Sequence, residues 1–170
     1  MGAAAPTVRG DRARGGGLSD TVRRMRVAAI GETGELRSPA IARLALWLTA
    51  ASAAGVGAVA AFAPRTFYDD FPYVGHWVDR LPPYNEHFVT DVGALYLGFA
   101  LVLAWAAATL QRQLVLAACW GWVLFSVLHL VFHARHLEHF GTADAIQELV
   151  SLAVVIALPL LALWGVRARA

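Results

Sequence analysis

Four apolar stretches, each close to twenty residues long, constrain the fold of this chain more than any other feature of its sequence. They run over residues 41–63, 92–110, 114–133 and 145–164. A helix of ~20 apolar residues crosses the hydrocarbon core of a bilayer, where a helix satisfies its own backbone hydrogen bonds and an irregular segment does not. We therefore predict an all-α fold, a bundle of four transmembrane helices with the lipid bilayer as its partner.

The composition argues against two other classes of protein. Of the 170 residues, 58% are apolar and 15% are charged, whereas charged residues make up about a quarter of an ordinary soluble domain. Eight of the 14 arginines precede the first apolar stretch or lie in its first turn, without the interleaved aromatic residues of a nucleic-acid-binding surface. We therefore expect no nucleic-acid partner. The single cysteine, Cys119, excludes a disulfide within the chain.

The chain divides into two parts of different composition. Residues 1–38 are rich in Gly, Ala and Arg and have no sustained apolar period, which predicts a disordered cytoplasmic tail. Residues 39–166 form the predicted four-helix membrane domain. Met25 is a second methionine at which a shorter form of the tail would begin.

The distribution of arginines predicts the orientation. With a cytoplasmic N-terminus, eleven arginines lie on the inner side and only Arg65, Arg80 and Arg135 lie on the outer side, as the positive-inside rule requires. The use of arginine without lysine, together with abundant Ala and Gly, is typical of a GC-rich bacterial genome. We therefore predict a multi-pass protein of the bacterial plasma membrane with both termini in the cytoplasm.

The connection between the first two membrane helices, residues 64–90, is long and aromatic. Disordered linkers are poor in aromatic residues, so this composition predicts a structured extracytoplasmic loop that caps the bundle. The alternative is a simple anchor whose rings lie at the membrane interface. The aromatic residues of the connection are Phe67, Tyr68, Phe71, Tyr73, Trp77 and Tyr84.

Four of the six histidines lie close together at the outer end of the third apolar stretch. At about 100° per residue, positions 129, 133 and 136 share one helix face and His139 lies at its edge. Ionisable groups at membrane depth are costly and usually face a bundle interior, so polar groups that neighbouring helices carry at the same end are expected to meet them. The candidate site residues are His87, Asp91, His129, His133, His136 and Glu148, with Glu86 and Asp144 as secondary members.

Three interpretations of this His/Asp/Glu cluster stay open. Imidazole and carboxylate groups from several helices suit Zn, Fe, Cu or Mn, as metal ligands of a binding site or of a metal-dependent activity. Without a metal, the same groups would relay protons or bind a small polar ligand. As structural hydrogen bonds between helices, they would belong to a structural or partner-binding membrane subunit, either a homo-oligomer or a component bound to another membrane protein.

The sequence leaves the reaction, and whether the chain is an enzyme at all, undecided. No His-Glu-x-x-His motif and no paired Glu-x-x-His motif is present. His129 lies one turn deeper than His133, so we expect His129 to be the best shielded histidine, with Asp91 or Glu148 as its partner.

Local signals predict how the helices begin, turn and pack. Asn85 and Thr142 are predicted N-caps of the second and fourth helices, and the break at residues 111–113 is short enough to require a tight antiparallel hairpin. Ala53, Gly57 and Ala61 recur every four residues in the first helix. Such a seam lets a neighbouring helix approach closely, although alanine richness alone would also produce it.

Three segments resemble a group of small four-span membrane proteins from actinobacteria. They are Phe67-Tyr68-Asp69-Asp70-Phe71-Pro, Tyr84-Asn85-Glu86-His87-x-x-x-Asp91-Val92-Gly93, and His129-x-x-x-His133-x-x-His136 followed by Gly141-Thr142-Ala143-Asp144. The resemblance covers about residues 41–165. More distantly, the architecture is similar to that of DoxX-like four-helix membrane proteins. The resemblance implies a fold and a lineage and implies no activity.

Overall fold

The computed structural model of the chain describes residues 36–73 and 75–167, together with Gly2, and these residues form helices and no strand. The helices are α1 (Pro39–Phe62), α2 (Pro64–Asp70), α3 (Glu86–Thr109), α4 (Arg112–Ala134) and α5 (Thr142–Gly165), with a 3-10 turn at Leu137–His139. The predicted disordered tail lies outside the described residues, apart from Gly2 and its last three residues.

Four of these helices are long and apolar enough to cross a membrane. Helices α1, α3 and α5 have 24 residues each and α4 has 23. Large apolar side chains such as Trp47, Leu101 and Leu124 are exposed on the surface of the bundle, where a bilayer would cover them. The all-α fold with four apolar spans is thereby confirmed, and it is the fold of a multi-pass membrane protein.

The four long helices run alternately up and down. Backbone hydrogen bonds from Arg37 N–H to the Arg167 carbonyl (2.9 Å) and from Ser38 N–H to the Gly165 carbonyl (3.0 Å) join the start of α1 to the end of α5. The tight turn between α3 and α4 lies at the same end, where Arg43 Nε donates to the Ala107 carbonyl at 3.2 Å. We call this end of the bundle the hairpin end.

The opposite end, which we call the capped end, carries helix α2 with the rest of the α1–α3 connection, and the α4–α5 connection. The α1–α3 connection is structured: Tyr68 is buried and its ring packs at a tilt against that of Tyr84, with 5.0 Å between the ring centres, and the backbone N–H of Trp77 donates to the Phe71 carbonyl at 2.9 Å. The predicted compact aromatic loop is therefore present.

Small residues bring α1 and α3 into backbone contact. A Cβ atom added to Gly57 would lie 2.9 Å from the Gly93 carbonyl oxygen, and one added to Gly93 would lie 2.3 Å from the Ala61 nitrogen. Such distances leave no room for a side chain at either position. The seam predicted in α1 is therefore a helix–helix contact and not an accident of composition.

The helix ends follow the sequence signals with one exception. The side chain of Asn85 accepts a hydrogen bond from Phe88 N–H at 3.1 Å and caps α3 as predicted. Leu110 adopts a left-handed conformation (φ 50°) and ends α3 in a tight hairpin. The predicted N-cap Thr142 is wrong by one position, because Gly141 occupies the N-cap and Thr142 begins the helix.

We expect Gly93→Ala to destabilise the bundle and Gly98→Ala, on the same helix, to leave its stability unchanged or slightly higher. The first substitution forces a methyl group into the α1 backbone, an overpacking that costs about 1–3 kcal/mol. The second meets nothing within 4 Å and removes a helix-weakening glycine. Thermal unfolding of the two variants in detergent measures the difference, and equal melting temperatures would contradict the close contact.

Candidate functional site

A histidine and a glutamate from different helices meet in the interior near the capped end. His133 lies in the last turn of α4, and Glu148 lies in the second turn of α5, beyond the first turn that contains Asp144. The His133 Nδ1 and Glu148 Oε1 atoms are 2.5 Å apart, and the two side chains are 14% and 2% exposed. An acid and a base are therefore held in contact, largely out of reach of water.

The buried polar atoms of this pair lack hydrogen bonds to the described residues. Within the described part of the chain, neither carboxylate oxygen of Glu148 nor Nδ1 of His133 has a hydrogen-bond partner, because the 2.5 Å contact lacks hydrogen-bond angles. Buried polar atoms in proteins are nearly always paired, and those that are not commonly mark a functional site, a bound water or a ligand. The unpartnered carboxylate thus distinguishes this place from the rest of the bundle.

A polar stripe continues from this pair along α4 toward the middle of the bundle. The ring of His129 lies 4.5 Å from that of His133 and stacks on Phe125 at 5.5 Å. Deeper, Ser126 and Trp122 are buried, and their polar atoms lack a partner among the described residues. Trp122 packs against Tyr96, Phe99 and Phe125, and this cluster of rings forms the floor of the site.

The polar stripe stops at this floor. The core of the hairpin half consists of apolar side chains, among them Leu46, Leu103, Val115 and Cys119. Thr49, which is also buried there, donates its hydroxyl to the Ala45 carbonyl at 2.8 Å and so presents no free donor. Among the described residues, the polar stripe therefore extends toward the capped end and not into the hairpin half.

Arg80 from the α1–α3 connection lies above the pair. Its Nη1 atom is 2.9 Å from Asp144 Oδ2, its Nη2 donates to the Gly75 carbonyl at 3.1 Å, and its guanidinium carbon lies 5.4 Å from the centre of the Phe140 ring. The charges of Arg80 and Asp144 act on the Glu148 carboxyl group. Sequence reasoning listed Asp144 as a secondary member of the site and missed Arg80, whose role depends on a contact across 64 residues of chain.

Three of the predicted site residues lie on the surface. His87 Nε2 and Asp91 Oδ2 form a pair at 3.1 Å, as their spacing suggests, but the side chains are 86% and 61% exposed. Glu86 beside them is exposed too. Their predicted position in the interior is wrong, because Gly93 faces α1 and two residues of helix place Asp91 about 160° away from it.

The remaining histidines have local partners. His136 Nδ1 contacts the Phe132 carbonyl oxygen at 2.7 Å and its ring stacks on Phe132 at 4.3 Å, while His139 lies 3.5 Å from Glu138. The expected partner of His129 is also different, because Glu148 contacts His133, one turn closer to the capped end.

This arrangement does not form the predicted metal cluster. Across residues 36–73 and 75–167, no group of three or more His, Cys, Asp or Glu side chains is placed to hold one ion. The physical reason is that His87 and Asp91 face outward, His136 is held by its own helix and Asp144 is paired with Arg80. The structure thus brings together only His129, His133 and Glu148 of the six primary site residues.

A second polar cluster, outside the membrane helices, stabilises the connection itself. Arg65 pairs with Asp69 at 2.6 Å and lies over the ring of Tyr84 at 4.9 Å. The hydrogen bond to Asp69 raises the pKa of Arg65, and desolvation together with the nearby Glu86 carboxylate raises the pKa of Tyr84. Both groups therefore keep their usual protonation state, a cation and a neutral phenol, at neutral pH.

Comparison of the chain with protein-family models, with curated proteins and with solved structures returned no match. The resemblance of three segments to small actinobacterial membrane proteins therefore stays a prediction. The function has to be argued from the geometry of the site.

We expect the stabilities of His133 and Glu148 variants to be strongly non-additive. Replacing Glu148 alone by Leu leaves a buried imidazole unpaired, which costs about 1–3 kcal/mol, whereas replacing both residues by Leu removes the need for a partner. A double-mutant cycle measured by thermal unfolding gives the coupling, and the exposed pair His87→Ala/Asp91→Ala is its control, with an expected change within about 0.5 kcal/mol. Additive effects at positions 133 and 148 would show that the two side chains do not interact.

Proposed function

We propose that this chain is a membrane protein whose His133–Glu148 pair is a buried acid–base site, which exchanges a proton with water or with a small polar ligand from the capped end. The observation that carries the proposal is a carboxylate that is 2% exposed, touches an imidazole and has no hydrogen-bond partner in the described chain.

The chemistry of such a pair follows from burial. A charged carboxylate is costly in a low-dielectric interior, and the neighbouring imidazole offers it a proton. Once the two groups align in a hydrogen bond, transfer of one proton from Oε1 to Nδ1 converts a neutral acid and a neutral imidazole into a carboxylate and an imidazolium. The total charge is unchanged, so the pair can present either a donor or an acceptor to a ligand.

The apolar floor supports proton exchange over proton conduction. A proton conductor needs polar groups on both sides of the bilayer, whereas the core below Trp122 is apolar and Thr49 is internally bonded. A proton taken up by Glu148 therefore returns to the side from which it came. That behaviour is typical of a binding or catalytic site and argues against a transmembrane proton path.

A metal-free site is favoured by the number of available ligands. Of the candidate residues in the described chain, only His129, His133 and Glu148 lie together, and His129 stacks on Phe125 and meets His133 edge-on. The imidazole next to the pair is placed to serve as a second proton carrier, since the rings of His129 and His133 are in edge contact. Whether the protein forms a homo-oligomer or binds another membrane protein stays a prediction.

The arginine distribution supports placing the capped end outside the cytoplasm. Arg37, Arg43, Arg112 and Arg167 lie at the hairpin end, whereas the acidic residues of the described chain lie at the capped end. We therefore propose a multi-pass protein of the bacterial plasma membrane with both termini in the cytoplasm, whose acid–base site faces outward.

Infrared difference spectroscopy of the purified full chain at varied pH tests the proposed site. We expect a protonated-carboxyl band that is absent in Glu148→Gln and whose pH midpoint moves in His133→Asn, because only a coupled pair shares a proton. Asp91→Asn and Glu86→Gln are matched controls at exposed positions of the same end, and both should leave the band unchanged. Difference spectra that are identical in the wild type and Glu148→Gln would refute the proposal.

Added Zn²⁺ gives a second, independent outcome. If the protein bound one Zn²⁺ per chain after dialysis, and His133→Asn and Glu148→Gln both lost it, the metal-free assignment would be wrong and a metal site would replace it. Release of all Zn²⁺ on dialysis supports the proposal as stated.

Topology is tested with reporters. We expect a fusion after Ala170 to report from the cytoplasm and a tag inserted between Pro82 and Pro83 to react with an impermeant reagent from outside, because most arginines precede α1 or lie at the hairpin end. A protected tag together with an exposed C-terminal reporter would reverse the orientation.

A further inference from the structure

We propose that the Arg80–Asp144 ion pair is a latch that controls access from water to the His133–Glu148 site. This inference rests on the proposed function of that site and adds its regulation. Arg80 belongs to the α1–α3 connection and Asp144 to the first turn of α5, so the ion pair fastens a loop to a membrane helix.

The position of the latch follows from the helix geometry of α5. Asp144 and Glu148 are four residues apart and lie on one face, with Asp144 about 6 Å nearer the capped end. Exposure changes sharply over this single turn: the Arg80 and Asp144 side chains are 31% and 30% exposed, and Glu148 is 2% exposed. The ion pair is therefore the last partly hydrated layer above the buried carboxylate.

Three contacts surround the guanidinium of Arg80, and each of them suits a cation. The carboxylate of Asp144, the carbonyl oxygen of Gly75 and the ring of Phe140 surround it on different sides. A planar guanidinium satisfies a carboxylate, a carbonyl and an aromatic face together, which an ammonium group does less well. The three contacts come from α5, from the α1–α3 connection and from the α4–α5 connection. Release of Arg80 therefore removes its link between these three segments.

The energetics of the contact suit an opening step. An ion pair that is about a third exposed is weak, because water solvates both charges when they separate. A fully buried ion pair would be costly to break. An apolar contact in its place would have no charged groups for water to solvate when it opened. The latch is thus stable enough to exclude water on average and weak enough to open without unfolding the bundle.

The charge of Arg80 also links the latch to the site below. In the closed state, the charges that act on Glu148 are those of Arg80 and Asp144, with His129 and His136 next to its partner His133. When Arg80 turns away, the Asp144 carboxylate remains one turn above Glu148 and faces the entering molecule. The open mouth therefore attracts a cation or a proton donor and repels an anion.

Access is measured by thiol labelling, which does not depend on proton chemistry. The reference chain carries Cys119→Ala and Ser126→Cys, so that its one thiol lies on the polar stripe below the latch. A cationic, membrane-impermeant methanethiosulfonate is the probe. In Arg80→Ala we expect labelling about fivefold faster than in the reference, the change expected when a partly exposed ion pair and its cation–π contact are lost. In Asp144→Asn we expect a smaller acceleration, because this variant also removes the carboxylate that attracts the cationic probe.

The controls separate the latch from general loosening of the capped end. Arg65→Ala breaks an Arg–Asp ion pair within α2, away from the site, and should leave the labelling rate unchanged. The charge swap Arg80→Asp/Asp144→Arg should bring the rate back toward the reference value. Millimolar ethylguanidinium should slow labelling of Arg80→Ala, because it binds at the position that the Arg80 guanidinium has left. Urea at the same concentration should not slow it.

Unchanged labelling in both Arg80→Ala and Asp144→Asn would overturn the latch, as would an equal acceleration in Arg65→Ala. These outcomes are distinct from failure of the proposed function. If the infrared band of Glu148 is present and labelling is unaffected, the acid–base site stands and the latch does not. If the band is absent and labelling responds to Arg80, the latch stands and closes a pocket of another kind.

Discussion

The contact between the backbones of α1 and α3 determines the arrangement of the other helices. In a bilayer, association of helices gains little from burying apolar surface, because lipid chains are as apolar as leucine, so close packing of small residues takes its place. Gly57 and Gly93 permit that packing, and a methyl group at either position would meet the opposite backbone. The contact also sets the rotation of α3 about its own axis, and with it the direction of every side chain on that helix.

The bundle that results is chemically different at its two ends. The hairpin half has a core of small and apolar side chains, and its ends are joined by backbone hydrogen bonds between α1 and α5. The capped half carries the histidines and carboxylates, one buried acid–base pair, and a loop bonded to the start of α5 through Arg80. In the described residues, the two halves of the bundle therefore differ in polarity, which is the asymmetry on which the proposed exchange with one side rests.

The sequence predicted the parts of this structure that depend on local information. Length and apolarity specified the four spans, and Asn85 specified the start of α3, because both signals act within a few residues. The composition of the α1–α3 connection also indicated order correctly. Helical periodicity placed His129 and His133 on one face of α4. The cost of leaving buried polar groups unpaired then indicated that Glu148, at the same end of another helix, would meet them.

The errors concern relations between helices. His87 and Asp91 were expected inside because they are polar, lie near one membrane surface and share a helix face, yet the face they share points outward. Their direction depends on which side of α3 meets α1. Gly93 marks the contact face of α3, but the sequence does not show which helix packs against it. The pairing of Glu148 with His133 in place of His129, and the contact of Arg80 with Asp144, likewise depend on a relative shift and on a loop path that no local pattern encodes.

The interlocked rings at the floor of the site have a mechanical consequence. Trp122 meets Tyr96 and Phe99 edge-on at 5.3 and 5.5 Å. Phe125 meets Tyr96 edge-on at 5.4 Å, so sliding or rotation of α3 against α4 at this level would separate three aromatic contacts at once. We therefore expect the bundle to be more rigid at the level of Trp122 than in the outer turns of α4 and α5. Any movement that accompanies the proposed binding should then be larger in the loops of the capped end than at the level of Trp122.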